Sequence, residues 1–351
     1  MTSLPGRPLG RTGMAISRVG IGAWAFGGGG WVDTWGAQDD ALSEGAVRAA
    51  VERGVNWIDT APIYGLGHAE EVVGRALRRI PADERPYVFT KAGVIWDPQR
   101  PHDKPVLVGH SASIRRELED SLRRLGLDRI DLYQVHAPPT DGTPLEEYWQ
   151  TFRDLRREGK VRAIGLSNHD VAQLDAAEAV GHVDAVQPRF NLIHRAAVDV
   201  LAWSAAHTTG AIVYSPMASG LLSGSFTTAR AAALDEEDWR RRHPDFTGDA
   251  LVRNLALAEA LGPIASRHGV TVAAVAVAWT LAFPGVTGAI VGVRRAGQLD
   301  AWLSAASLAL DDSDLTRIAD AIEHTGAGSG PVLPARGVTP ARYTAQPGRG
   351  C

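Results

Sequence analysis

From about residue 40 onward, amphipathic stretches alternate with short apolar runs. Leu42, Ala46, Val47, Ala50 and Val51 recur at helical spacing opposite Glu44, Arg48 and Glu52, which predicts a helix opened by Asp39 and Asp40 and stopped by Gly54. The run 55–61 (VNWIDTA) reads as a buried strand, 69–79 as a helix and 87–93 (YVFTKAG) as the next strand. In 113–127, Ile114, Leu118, Leu122 and Leu125 share one helical face that ends near Gly126, ahead of a strand at 129–137. Thr143, Pro144 and Glu146 spell a capping box for a helix reaching about Glu158.

The alternation continues with a strand at 161–168, a helix opening at Asp170, a strand at 184–192, a helix at 196–206 and a strand at 211–217. A polar insertion at about 223–250 separates these from helical stretches at 254–269 and 272–283, a strand at 288–294 and a helix at 297–307. With 17–24 (SRVGIGAW) as the first, there are eight strands, and no linker divides them. The pattern predicts an α/β fold, a single (β/α)8 TIM barrel over residues 1–325, rather than an open doubly wound sheet with a second domain. Residues 326–351, rich in Gly and Pro, read as an extended or disordered tail.

One stretch points elsewhere. In VGIGAWAFGGGGW, Gly20, Gly22 and Ala25 match the G-x-G-x-x-G/A fingerprint of a dinucleotide-binding Rossmann turn. That turn needs a helix to begin at its third position, where the helix N-terminus holds the phosphates. Here four successive glycines follow, each disfavouring helix by roughly 1 kcal/mol relative to alanine. The stretch therefore reads as the first barrel strand, ending at Trp24, and a glycine-hinged loop carrying Trp31 and Trp35.

Composition narrows the ligand more than the fold. A formal net charge of -4 provides no global basic field for nucleic acid or anionic lipid, so a small molecule is the expected partner. The only cysteine, Cys351, leaves no intrachain disulfide and no cysteine-based metal site. The first residues lack a signal-peptide core, and the most apolar run, Val270 to Ala282, is too short to span a bilayer. A cytoplasmic location is expected, with the oligomeric state left open.

In a barrel of this kind, chemistry gathers at the C-terminal ends of the strands. Those ends carry Asp59, with Tyr64 five residues on, then Lys91 and His136. An acid, a phenol, an ammonium and an imidazole at one mouth suit carbonyl reduction, in which a forming alkoxide needs a proton. Lys91 beside Tyr64 would stabilise the phenolate and lower its pKa, Asp59 would hold the ammonium, and His136 would donate to the carbonyl oxygen.

These residues sit in the segments GVNWIDTAPIYGLGHAEEVVGRAL, FTKAG, DLYQVHAP, GKVRAIGLSN and VYSPMASGLLSG, in that order. Over about residues 6–323 the chain resembles the aldo-keto reductases. The resemblance implies Tyr64 as general acid/base, Asp59 and Lys91 as its tuning pair, His136 as the residue orienting the carbonyl, and no metal. It also implies a nicotinamide site. Gly22, Ala23 and Trp24 fall near the nicotinamide end, Ser167, Asn168 and Gln187 at the carboxamide, and Tyr214 against the ring.

Ser215, Met217, Ser219 and Gly220 match the segment over the diphosphate, and Gly292, Arg294 and Gln298 the adenosine-phosphate site. A guanidinium at Arg294 favours NADP(H) over NAD(H). The chain departs from the family pattern at Ser225, where a lysine is common, at Phe190, and at Ala301 and Trp302.

Trp24, Trp31, Trp35 and Trp96 are expected to border the mouth, where their faces would stack on an aldehyde, ketone or sugar-like carbonyl. Two other functions fit the same barrel: a non-catalytic nicotinamide-binding regulator, and a lyase using Lys91 as a Schiff-base nucleophile.

Overall fold

The structure, a computed structural model, describes residues 4–332. Eight parallel strands close a barrel: β1 (Val19–Gly22), β2 (Trp57–Asp59), β3 (Tyr87–Ala92), β4 (Ile130–Val135), β5 (Val161–Ser167), β6 (Ala185–Gln187), β7 (Gly210–Tyr214) and β8 (Val286–Gly292). Each pairs with the next, and β8 returns to β1. Around them lie α1 (Asp40–Glu52), α2 (His68–Arg78), α3 (Ser111–Leu125), α4 (Leu145–Arg157), α5 (Val171–Val180) and α6 (Val198–His207). Helices α7 (Gly248–Ala260), α8 (Gly262–His268) and α9 (Val272–Ala282) follow β7, and α10 (Asp312–Thr325) closes the ring.

Several local expectations change. The first strand ends at Gly22, and Trp24 opens a short 3-10 turn. Thr143 does not cap α4: Asp141 accepts from Gly109 N–H and Thr143 N–H, and the resulting turn moves the N-cap to Pro144. The capping box forms instead at Asp170 and Gln173, ahead of α5. The stretch 254–269 is two helices, broken where Pro263 brings no N–H to the ladder. Residues 297–307 form two 3-10 turns, Ala296–Ala301 and Leu303–Ala306. Helix α10, which the apolar pattern did not mark, takes the outer position after β8.

A hairpin, Gly6–Pro8 paired with Ala15–Ser17, plugs the N-terminal end of the barrel. Its Leu9, Met14 and Ile16 are fully buried with Trp57, Phe89, Leu132 and Ile212. The paired glycines of β1 serve this packing. A Cβ on Gly20 would lie 2.2 Å from the Trp57 indole, and one on Gly22 would lie 2.8 Å from Ile290. Absent side chains in β1 make room for neighbours inside the barrel, which is why the fingerprint appears without its fold.

Strand register brings the C-terminal ends to one level: Gly22 lies opposite Asp59 and Gly292, Ala92 opposite Val135, and Ser167 opposite Gln187. At the other end of the chain, residues 326–330 are held against the segment between β6 and α6. Gly326 caps α10, Ser329 bridges His194, and Arg195 N–H donates to the Ser329 carbonyl at 3.0 Å. The rest of the expected tail, 333–351 with Cys351, lies outside the described residues. Among those described, no single helix is long and apolar enough to cross a membrane.

Candidate active site

Asp59 ends β2, Lys91 lies near the end of β3, and both are buried. Lys91 Nζ donates to Asp59 Oδ1 at 2.6 Å, to the Thr60 carbonyl at 2.9 Å and to the Tyr64 hydroxyl at 3.4 Å. Asp59 Oδ2 accepts from Gln187 Nε2 at 2.7 Å and from Gln134 Nε2 at 3.4 Å. The ion pair is thus fully hydrogen-bonded, as burial requires. Tyr64 follows β2 on a turn pressed against the loop after β1. Gly65, at φ +62°, approaches Gly27 so closely that a Cβ on Gly65 would lie 2.2 Å from the Gly27 carbonyl oxygen. The Tyr64 ring meets His136, just past β4, edge to face at 5.8 Å.

Burial disfavours the Lys91 charge, but Asp59 and Tyr64 outweigh it and hold its pKa above the usual lysine value. Burial also raises Tyr64, and Lys91 only partly opposes this. The net direction is therefore opposite to the sequence expectation, because loss of water around a phenolate costs more here than the ammonium returns. His136 is pushed well below the ordinary imidazole range, by burial first and Lys91 second, and is neutral at pH 7. Lys91 Nζ is taken up by three acceptors in this arrangement, so the geometry gives the Schiff-base lyase reading no support.

A cavity of about 510 Å³ opens above these groups. It is lined by Asp59, Tyr64, His136, Ser167, Asn168, Gln187 and Tyr214, and also by Gly22, Ser215, Met217, Ser219, Gly220, Gly292, Arg294 and Gln298. Its polar groups are pre-set by one another: Ser167 Oγ donates to the Gln187 carbonyl at 2.9 Å, Asn168 Nδ2 to the His136 carbonyl at 2.9 Å, and Tyr214 OH to Asn168 Oδ1 at 2.9 Å. Gln298 Oε1 accepts from Arg294 N–H at 2.7 Å, and Arg294 Nε donates to Gln38 Oε1 at 2.6 Å. A cleft that offers amides, a phenol ring and a guanidinium fits a nicotinamide dinucleotide.

Two expected lining residues are not brought to the cavity. Ala23 is buried and absent from the lining, its N–H donating to the Asp59 carbonyl at 2.9 Å. Trp96 packs against the cluster of Trp31, Ala61, Ile63 and Val94, outside the lining. Trp24, Trp31 and Trp35 do line it. However, Trp24 has Tyr64 stacked at 6.1 Å and Trp239 stacked at 5.3 Å, while Trp35 meets it edge-on at 5.2 Å, so it serves as a wall rather than a free stacking face. Sequence reasoning missed Gln134, Trp239, Arg230 and Arg240. The last three lie in the polar insertion, where a Trp beside arginines (DWRRRH) was the one available signal.

The model of the aldo/keto reductase family matches residues 18–323. The chain belongs to that family. It is 35% identical over 316 residues to an aldo-keto reductase of Bacillus subtilis, covering 90% of this chain and 92% of the relative. It is 32% identical over 332 residues to an NADH-specific methylglyoxal reductase of Escherichia coli, covering 90% and 98%. Among solved structures, a glycerol dehydrogenase from Gluconobacter oxydans superimposes with a TM-score of 0.81 at 34% identity, covering 95% of this chain and 97% of that one.

Proposed function

We propose that this oxidoreductase interconverts an aldehyde, ketone or sugar-like carbonyl and its alcohol, using NADP(H) in preference to NAD(H). The observation that carries the reading is the Lys91 ammonium, fixed on Asp59 and 3.4 Å from the Tyr64 hydroxyl at the base of the cavity. When bound, the reduced nicotinamide supplies a hydride to the carbonyl carbon. Tyr64 gives its phenolic proton to the carbonyl oxygen, and Lys91 stabilises the phenolate left behind. Neutral His136 donates a hydrogen bond to the same oxygen. Ser167, Asn168 and Gln187 would hold the carboxamide, and Tyr214 would pack on the ring. In the alcohol-oxidising direction Tyr64 takes the proton back.

Support for NADP(H) comes from Arg294, whose guanidinium suits a 2′-phosphate. The relative named NADH-specific makes this the part of the reading most open to measurement. A panel of aldehydes, ketones and sugars, assayed with each reduced and each oxidised cofactor, tests substrate class, direction and preference together. Tyr64→Phe is expected to lower turnover at least about a thousandfold while leaving NADPH affinity within about threefold, because the phenolic hydroxyl acts on the substrate carbonyl and its loss removes only the long contact to Lys91. Wild-type turnover in that variant would refute the role.

A further inference from the structure

Among the described residues, two carboxylates line the cavity, Asp59 and Asp33. Asp59 is taken up by Lys91, Gln187 and Gln134. Asp33 is different. Its carboxylate has no hydrogen-bonding partner among the described residues, and Arg242 and Lys104 act on it only through space.

This acceptor is held in place by the loop that carries it. Asp33 lies in the glycine-hinged segment after β1, where the backbone is pinned on both sides. Trp24 Nε1 donates to the Asp33 carbonyl at 3.2 Å, Val32 N–H to the Pro101 carbonyl at 3.2 Å, and Thr34 Oγ1 to the Gly28 carbonyl at 2.6 Å. Trp31 Nε1 reaches the same Gly28 carbonyl at 3.0 Å. The residue is exposed at the rim, yet its carboxyl is far enough into the cleft for loss of water to raise its pKa, against the smaller pull of Arg242 and Lys104. A group placed in this way recognises a ligand with little ordering cost, and its hydrogen bonds count for more than at open surface.

The indole that holds Asp33 is also the one stacked on Tyr64 at 6.1 Å. A molecule whose carbonyl meets the Tyr64 hydroxyl therefore reaches Asp33 by running along Trp24. The lining beside this path, Trp31, Ile63, Val94 and Leu107, is apolar and gives a polar substrate no other side-chain partner there.

We infer that Asp33 selects the substrate by charge: it accepts a hydrogen bond from a hydroxyl of a neutral, hydroxylated carbonyl compound and repels carbonyl compounds that carry a carboxylate or phosphate. Aromatic faces beside a free carboxylate suit a sugar chain, whose C–H faces pack on rings while its hydroxyls donate. The inference rests on the carbonyl-reduction reading above and narrows its substrate class. Rejection through a like charge is a specificity device separate from the chemistry at Tyr64.

Steady-state kcat/KM for glucose, glucuronate and hexanal tests this. The first two share an aldehyde and a hydroxylated chain and differ in one carboxylate, whereas hexanal carries neither hydroxyl nor charge. Asp33→Asn keeps the size and removes the charge, so glucuronate should gain about tenfold relative to glucose. Asp33→Ala removes the acceptor as well, and glucose should fall about tenfold relative to hexanal, through KM rather than kcat. Comparing each variant with the wild type on the same sugar cancels the fraction of open chain. In the wild type, added salt should narrow the preference for glucose over glucuronate.

The Asp33 side chain is exposed and supports no other residue, so both variants are expected to fold. Wild-type preferences in either variant, or a wild type that favours glucuronate over glucose, would overturn the inference and leave the reductase reading standing. Absence of turnover of every carbonyl and alcohol by the wild type, with either cofactor, would overturn both.

Discussion

At the scale of single residues, the Asp59–Lys91 pair separates stability from chemistry. Lys91→Met strands a carboxylate that is 2% exposed, which is expected to cost about 3–5 kcal/mol in denaturant unfolding. Combining it with Asp59→Leu should return most of that stability, since a buried pair replaced by apolar groups of similar volume is often neutral. Turnover should stay lost in both variants, because Tyr64 no longer has its ammonium. Recovery of activity along with stability in the double variant would show that the pair is structural only. The four polar groups at the strand ends were legible from sequence because each closes or follows an apolar run. The direction of the Tyr64 shift was not, since it depends on how much water the folded chain removes from the phenol.

Secondary-structure elements are coupled at this site through a histidine that sequence gave no reason to choose. His169, just past β5, donates from Nδ1 to the Ser167 carbonyl at 2.8 Å, and its Nε2 accepts from the Tyr148 hydroxyl of α4 at 3.0 Å. That fixes the Nδ1–H tautomer, and burial lowers its pKa to about 4. The unfolded chain takes up this proton near pH 6.5, whereas the folded chain refuses it until about pH 4. Stability is therefore full above pH 6.5, falls as pH drops through that interval and levels off below it, with a total loss of up to about 3 kcal/mol. His169→Gln should flatten this part of a pH series of unfolding midpoints. An unchanged slope would mean that other groups carry it.

Element order and strand identity were readable from hydrophobic period, because every strand buried in the barrel must be apolar. Caps and breaks were less so. Thr143 lost its cap to a turn fixed by Gly109, 34 positions away by numbering and adjacent in space. The 297–307 turns follow the Gln298 side chain, which accepts from Arg294 and Arg295 N–H and fastens the segment to the end of β8.

For the whole molecule, the two ends of the barrel divide the work. The hairpin plug buries Leu9 against Gly210, where a Cβ would lie 2.3 Å from a Leu9 methyl, at the end opposite Tyr64. Leu9→Ala should cost about 3 kcal/mol by transfer and cavity formation and leave kcat unchanged, measured by denaturant unfolding and steady-state assay on one preparation. A fall in kcat would mean that the plug reaches the mouth through the strands.

At the mouth, the insertion packs Trp239 onto Trp24 and Trp35, with ring centroids 5.2 to 5.5 Å apart in all three pairs. Indoles held this close in fixed, chiral orientation share their electronic excitations. The cleft therefore has a built-in optical reporter, a split dichroic band in the far ultraviolet, and the part of it that comes from Trp239 exists only while the insertion and the loop after β1 pack on each other.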